Sequence, residues 1–230
     1  MKTALAIFVK TPGFSPVKTR LAQTLGREAA EAFYRLAADA TAAVARACAP
    51  RLAVYWAVAE TDPAAWSVWS GFPVIAQGAG GLGERLHRVY AELRARHGAV
   101  LLIGADAPQL TPALLLAARA AVRDPATPFA LGAAADGGFW LCGGRRPLPA
   151  AVWSAVRYSQ ADTADQLRGG LRAHGAIAEL PCLRDVDDAA DLPAVAQALA
   201  ALSDPLPAQR RLADWLRGHD GVRRRTSQRL

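Results

Sequence analysis

Short apolar runs alternate along this chain with longer stretches in which apolar residues recur every three or four positions. The runs at 4–9 (ALAIFV), 52–59 (LAVYWAVA), 73–77 (PVIAQ), 99–106 (AVLLIGAD) and 129–134 (FALGAA) have the length and composition of buried strands. GGFWLCGG at 137–144 and AIAEL at 176–180 supply two further candidates. Between the first two strands, Phe33, Leu36, Ala37, Ala40, Val44 and Cys48 recur at the spacing of a helix over 27–48. Helices are also expected over 84–97, 149–156, 162–173, 190–202 and 207–218. Another starts after Thr111, an N-cap residue type followed by Pro112 at the first helical position. DPAAWSVWSG reads as a polar and aromatic connection.

Alternating strands and helices predict an α/β protein: a mainly parallel sheet with helices on both faces, hence three layers. The 230 residues contain no internal repeat or long linker, so residues 1–216 are expected to form one domain. Residues 217–230 (RGHDGVRRRTSQRL) lack apolar periodicity and are expected to form a basic, disordered tail.

In such a sheet, ligands bind outside the carboxyl ends of the strands, so the residues that follow each strand carry the chemistry. After the first strand comes KTPGFSPVKTRLA, a loop with Lys10, Lys18 and Arg20 and no acidic residue. Pro12 and Pro16 restrict its backbone, and Gly13 permits an unusual turn. Fixed cations and free N–H groups next to a helix start suit a phosphate chain, and Thr11, Pro12 and Gly13 are expected to contribute. The loop is not a Walker loop, because GxxxxGK[ST] is absent.

After the third strand, Gly78, Gly80 and Gly83 match G-x-G-x-x-G in letters. In a dinucleotide fold that pattern follows the first strand, with an acidic residue about 20 positions on. Here it reads instead as a loop where backbone approaches a ligand, with Gln77 placed to read a base edge through its amide. After the fourth strand, Asp106 stands where a hard cation is often held. After the fifth, Asp136 precedes Gly137 and Gly138, so a carboxylate and bare backbone can meet a ligand together. Late in the chain, LRDVDDAADL gathers Asp185, Asp187, Asp188 and Asp191. Asp188 or Asp191 is expected to cap the following helix. An extended RDVD aims Asp185 and Asp187 the same way, so either is a candidate second metal ligand. Cations at one strand end and carboxylates at others make a site for a nucleotide diphosphate or triphosphate bridged by Mg²⁺ or Mn²⁺.

Composition narrows the alternatives. Net charge is +7, but five arginines against one aspartate in 217–230 supply much of it. That tail lacks interleaved aromatics, so nucleic acid is not the expected partner. Three scattered cysteines fit neither a disulfide framework nor a zinc pattern, and are read as half-buried thiols. His87 and His97 fall on different faces of one helix, and no Ser–His–Asp or Cys–His pattern is visible. Apolar runs are broken well before the roughly 18 residues that span a bilayer. The apolar core of the first ten residues is short and lacks a cleavage site, so a cytoplasmic protein is expected. Trp66, Trp69 and Trp153 are candidates for an acceptor pocket or a homodimer contact.

Taken in order, KTPGFSPVKTRLA, GLGERL, IGADAPQLT, ADGGFWL and DVDDAADL resemble the DUF2064 family over roughly residues 4–195. Those proteins are similar to the GT-A nucleotide-diphospho-sugar transferases, and to phospholactate guanylyltransferase and the molybdenum-cofactor nucleotidyltransferases. The resemblance implies a Rossmann-like GT-A fold. It implies a metal-dependent transferase that moves a sugar from a nucleotide sugar to a small acceptor. The alternatives are a nucleotidyltransferase that passes a nucleoside monophosphate from an NTP to a phosphorylated acceptor, and a non-catalytic nucleotide-binding protein. It maps Lys10, Lys18 and Arg20 onto the basic signature loop, and Gln77, Leu82 and Gly83 onto base contacts. Asp106 falls at the metal-binding aspartate, Asp187 at the second metal position, and Asp136, Gly137 and Gly138 on the family's DGG segment. Gly81 stands where an acidic residue is frequent, and Asp106 belongs to no DxD pair, which leaves Asp187 as its partner.

Overall fold

The structure is a computed structural model that describes residues 2–227, with side chains through His219. Its strands are β1 (Thr3–Val9), β2 (Leu52–Val58), β3 (Val74–Ala76), β4 (Val100–Gly104), β5 (Phe129–Ala134), β6 (Phe139–Gly144) and β7 (Ile177–Leu183). They form one seven-stranded sheet in the order β3-β2-β1-β4-β6-β5-β7. All pair in parallel except β6, which runs antiparallel to both β4 and β5. The mainly parallel sheet of the sequence reading is therefore present, and GGFWLCGG is the reversed strand within it.

Alternation along β1 divides the core. Leu5, Ile7 and Val9 point to one face with Val54, Trp56, Val58, Leu101 and Ile103. They meet α2 (Arg27–Ala47) through Ala38, Ala42 and Ala45, and α5 (Pro112–Arg123) through Leu115, Ala118 and Val122. Ala4 and Ala6 point to the other face with Val100, Leu102 and Leu131. That face is covered by α4 (Leu82–His97), α6 (Ala150–Ser154) and α7 (Thr163–Arg172). Trp153 of α6 is fully buried there, so it lines no acceptor pocket.

A third cluster lies outside α2. Phe33 and Ala37 meet Leu21 of α1 (Thr19–Leu25), Val195 and Leu199 of α8 (Leu192–Ala200), and Leu212 and Leu216 of α9 (Pro207–Ser227). Many of α2's buried residues are alanines, which lets the helix lie close to the sheet and to α9 at once. Phe33, with no exposed surface, anchors this outer layer. Truncation to alanine there costs about 3–5 kcal/mol. The backbone of α9 continues to Ser227, beyond the end at 218 expected from periodicity and into the stretch read as disordered. The remainder of that tail, 228–230, lies outside the described residues.

Thr111 caps α5 as expected, accepting the N–H of Leu114 at 3.2 Å. Asp191 stands at the N-cap position of α8, but its side chain makes no cap hydrogen bond. α3 (Pro63–Trp66) is the one short helix of the aromatic connection, where Trp66 and Trp69 are tied inward. The Trp66 indole donates to Glu60 O at 2.6 Å and the Trp69 indole to Thr11 Oγ1 at 2.8 Å. Cys48 and Cys142 are buried and Cys182 exposed, rather than uniformly half-buried, and all three are free.

Candidate active site

Among the described residues, two carry a positive φ without being glycine, and both are at the carboxyl ends of the strands. Lys18 (φ 46°) precedes α1, and Ser159 (φ 60°) lies between α6 and α7. Each such residue costs on the order of 1–3 kcal/mol, a strain that folds tend to keep where a site needs it. The Lys18 backbone turns its side chain inward, to 6% exposure. There its ammonium sits 2.9 Å from Asp106 Oδ1 and 3.4 Å from Asp187 Oδ1. Arg20, in the first turn of α1, lies 3.8 Å from Asp187 Oδ2. Loops separated widely in sequence thus converge on one cleft.

The electrostatics follow from that convergence. Burial alone would lower the Lys18 pKa, but Asp106 in contact and Asp187 and Asp185 nearby overcome it and raise it. The Asp185 carboxyl is pushed up to about 7 by burial first, and then by Asp136, Asp106 and Asp187. Val186 is fully buried between Asp185 and Asp187, so the predicted alternation of RDVD holds and both aspartates face the cleft. Tyr34 of α2 accepts the Lys10 N–H at 3.0 Å, and burial together with the Asp106 charge raises its pKa.

The cleft has two lobes. One, of about 580 Å³, is lined by Lys10, Lys18, Arg20, Tyr34, Gln77 and Leu82, with Asp106 and Asp187 at its edge. The other, of about 480 Å³, is lined by Asp136, Asp185, Gly138, Trp140, Tyr158 and Gln160. Phe8, Arg20, Leu82, Gly104, Asp106, Ser159 and Asp187 border both. Sequence reasoning missed Tyr34 of the cationic lobe and, in the other lobe, the segment Tyr158–Thr163. That segment is a polar connection between helices, without a glycine or charge cluster to mark it.

Several expected residues lie elsewhere. Thr11 is fully buried and lines neither lobe. Its N–H donates to Glu60 Oε1 at 3.0 Å and its hydroxyl to Ala65 O at 3.3 Å. Pro12 lines neither lobe, and Gly13 borders a separate groove with Phe14 and Arg27. Gln77 does line the cationic lobe, but its amide N–H groups are spent on Val9 O (3.2 Å) and Ala57 O (2.8 Å). Only its side-chain oxygen remains to meet a base. The glycines of G-x-G-x-x-G make room for the protein itself. A Cβ on Gly78 would strike Arg88, on Gly80 Glu84, and on Gly83 the Trp153 carbonyl. Gly137 (φ 90°) likewise accommodates the Ala161 backbone, whereas Gly138 lines the acidic lobe.

Among the described residues, no group of three or more His, Cys, Asp or Glu side chains is arranged to hold a metal. Asp106 and Asp187 are nonetheless close enough to share one cation, since a single ammonium touches both. No helix among the described residues is long and apolar enough to cross a membrane.

The fold and the strand-end cleft define a three-layer α/β protein of the Rossmann-like GT-A type. Residues 36–160 match the family described as "Uncharacterized protein conserved in bacteria (DUF2064)", and the chain belongs to that family. No curated protein matches it in sequence. The crystal structure of a protein from Desulfovibrio desulfuricans G20, named as a candidate nucleotide-diphospho-sugar transferase, is similar to it. That structure superposes with a TM-score of 0.84 at 26% identity, covering 98% of each chain. The fold is shared more distantly with a CMP:2-keto-3-deoxy-manno-octonic acid synthetase solved with CTP (TM-score 0.50, 17% identity, 87% of this chain and 99% of that one). It is also shared with a 4-diphosphocytidyl-2C-methyl-D-erythritol synthase from Anaerococcus prevotii DSM 20548 (TM-score 0.51, 12% identity, 88% and 97%).

Proposed function

We propose that this protein is a nucleotide-donor transferase of the glycosyltransferase type, passing a sugar from a nucleotide sugar to a small acceptor with Mg²⁺ or Mn²⁺. The observation that carries this reading is the Lys18 ammonium between Asp106 and Asp187, at the mouth of a lobe that also holds Lys10 and Arg20. The similarity to a protein named as a nucleotide-diphospho-sugar transferase supports the donor class. Lys10, Lys18 and Arg20 take the phosphate oxygens, while Leu82 and the Gln77 side-chain oxygen border the space left for the base. Asp106 and Asp187 would hold the ion, with phosphate oxygens and water completing its shell in the manner usual for Mg²⁺. Bound there, it supplies charge neutralisation of the departing diphosphate. The basic loop opposes the same charge from the other side.

A second reading, transfer of a nucleoside monophosphate with release of pyrophosphate, is favoured by the number of cations in the loop, which suits a triphosphate. A thermal-shift screen of nucleosides, nucleoside diphosphates, triphosphates and nucleotide sugars, with and without Mn²⁺, tests both. Ligands that bind only the folded chain raise its Tm. A Mn²⁺-dependent rise with nucleotide sugars supports glycosyl transfer, and one confined to triphosphates supports the second reading. No rise with any nucleotide overturns both.

A further inference from the structure

The two lobes differ in charge as well as in place. The larger is bordered by Lys10, Lys18 and Arg20 against Asp106 and Asp187. The smaller has Arg20 as its single cation, against Asp106, Asp136, Asp185 and Asp187. Arg20 stands at the seam, paired with Asp187. Asp106 and Asp187 are engaged by Lys18 and Arg20, or by the proposed ion, so a phosphate group deeper in the smaller lobe would still meet Asp136 and Asp185, and the one cation of its lining, Arg20, is already paired with Asp187.

The rest of that wall is suited to a different ligand. Trp140 donates its indole N–H to Pro181 O at 3.0 Å, and Tyr158 its hydroxyl to Trp153 O at 3.0 Å. Their polar atoms are thus satisfied within the protein, so the Tyr158 ring and the edge of the largely buried Trp140 meet the cavity as apolar surface. Asp136 Oδ1 accepts the Gly138 N–H at 2.8 Å, and its second oxygen is free of that bond. Ionised carboxylates are acceptors only, so they seek O–H or N–H donors in a ligand. A cavity of about 480 Å³ with aromatic walls and a few convergent acceptors is of the size that encloses a small molecule.

We infer that the lobe walled by Asp136, Asp185, Trp140 and Tyr158 receives an uncharged, hydroxyl-rich group, a sugar ring or small polyol, and turns away phosphorylated ones. This rests on the nucleotide-donor reading of the cationic lobe, and it separates the two reactions considered there. Transfer onto a phosphorylated acceptor would place a phosphate in the acidic lobe, whereas glycosyl transfer places hydroxyls there. The discrimination is built by repulsion as much as by attraction.

The test uses the full chain, with the cationic lobe saturated by Mg²⁺ and whichever nucleoside diphosphate the thermal-shift screen retains. Saturation-transfer NMR then compares glucose with glucose 6-phosphate, and glycerol with glycerol 3-phosphate. The parent compounds are expected to bind at least tenfold more tightly than their phosphates. In the double variant Asp136→Asn/Asp185→Asn, with the fold verified by circular dichroism and the nucleotide kept at a saturating concentration measured for the variant itself, the gap should shrink to about threefold or less. Replacing the diphosphate by its glucose conjugate identifies the source. Loss of free glucose binding assigns the lobe to the donor's own sugar, and retention assigns it to a separate acceptor; either agrees with the inference. Phosphorylated probes binding as tightly as their parents, no binding of either parent, or undiminished discrimination in the double variant would overturn it. If no nucleotide is retained in the screen, the donor reading fails first. If nucleotides bind and glucose 6-phosphate outcompetes glucose, this inference alone fails.

Discussion

Asp191 Oδ2 accepts the backbone N–H of Asp187 at 3.0 Å. The same oxygen accepts the Asp188 N–H at 3.1 Å, and Oδ1 pairs with Arg184 at 3.1 Å. The sequence offers Asp188 or Asp191 as the cap of α8; Asp191 stands at that position, but its side chain reaches back and fixes the turn that carries Asp187 to Lys18. Asp191→Ala removes an acceptor that satisfies two N–H groups and an ion pair, which should cost about 1–3 kcal/mol in urea denaturation. Asp191→Asn keeps an oxygen for the two N–H groups and loses chiefly the Arg184 pair, so it should cost about 1 kcal/mol or less. Nucleotide affinity should fall in the alanine variant more than in the asparagine one. Equal affinities in all three proteins would show that Asp187 needs no such support.

Lys18 neutralises the two carboxylates at which an ion is proposed to bind, so ammonium and metal compete for one place. Lys18→Met should therefore tighten Mn²⁺ binding severalfold while weakening triphosphates far more than nucleosides. The first is read from free Mn²⁺ by electron paramagnetic resonance, the second by calorimetry. If Mn²⁺ binds the variant no better than the parent, the ion lies elsewhere. Equal weakening of nucleosides and triphosphates would remove Lys18 from phosphate contact.

The sheet and the strand-end acids were legible because both follow strict geometry. A parallel strand buried on both faces must be a short apolar run, and its carboxyl end must face the cleft. Asp106 and Asp136 follow from that rule, whereas Asp185 and Asp187, beyond the exposed edge strand β7, follow from the alternation of an extended RDVD. The direction of a side chain in a loop obeys no period, and there the reading failed. Thr11 follows Lys10 directly but turns into the protein, where Glu60 accepts its N–H, the Trp69 indole donates to its hydroxyl oxygen and its hydroxyl donates to Ala65 O. The glycines of residues 78–83 look like ligand room, yet Arg88, Glu84 and Trp153 fill it. These are partners that no local pattern names. Ser159 takes a left-handed backbone without the glycine or asparagine that would announce it.

Thr11→Val tests the inward placement. The substitution keeps the shape but leaves the Trp69 indole N–H without its acceptor and the Ala65 carbonyl without its donor. Stability should fall by about 1–3 kcal/mol. Nucleotide affinity should fall much less than in Lys18→Ala, because Thr11 meets neither lobe. A loss of affinity matching that of Lys18→Ala, with stability intact, would return Thr11 to the ligand.

Glu60 gives the fold an acid-sensitive link to the same loop. Burial alone would raise its pKa. The nearby Ser15 hydroxyl and the hydrogen bond from the Thr11 N–H outweigh that and hold it below its ordinary value of 4.5. A carboxyl whose pKa is lower in the folded than in the unfolded chain stabilises the fold above the unfolded value. That contribution is lost as the pH falls through 4.5 toward the folded value, because the unfolded chain takes up the proton first. Above pH 6 it is constant. Glu60→Gln should therefore lower Tm at pH 7 and make Tm less dependent on pH between 5 and 3 than in the parent. Thermal melts across pH 3–8 measure both slopes. A variant whose Tm falls as steeply with acid as the parent's would show that this carboxylate does not tie the loop through its charge.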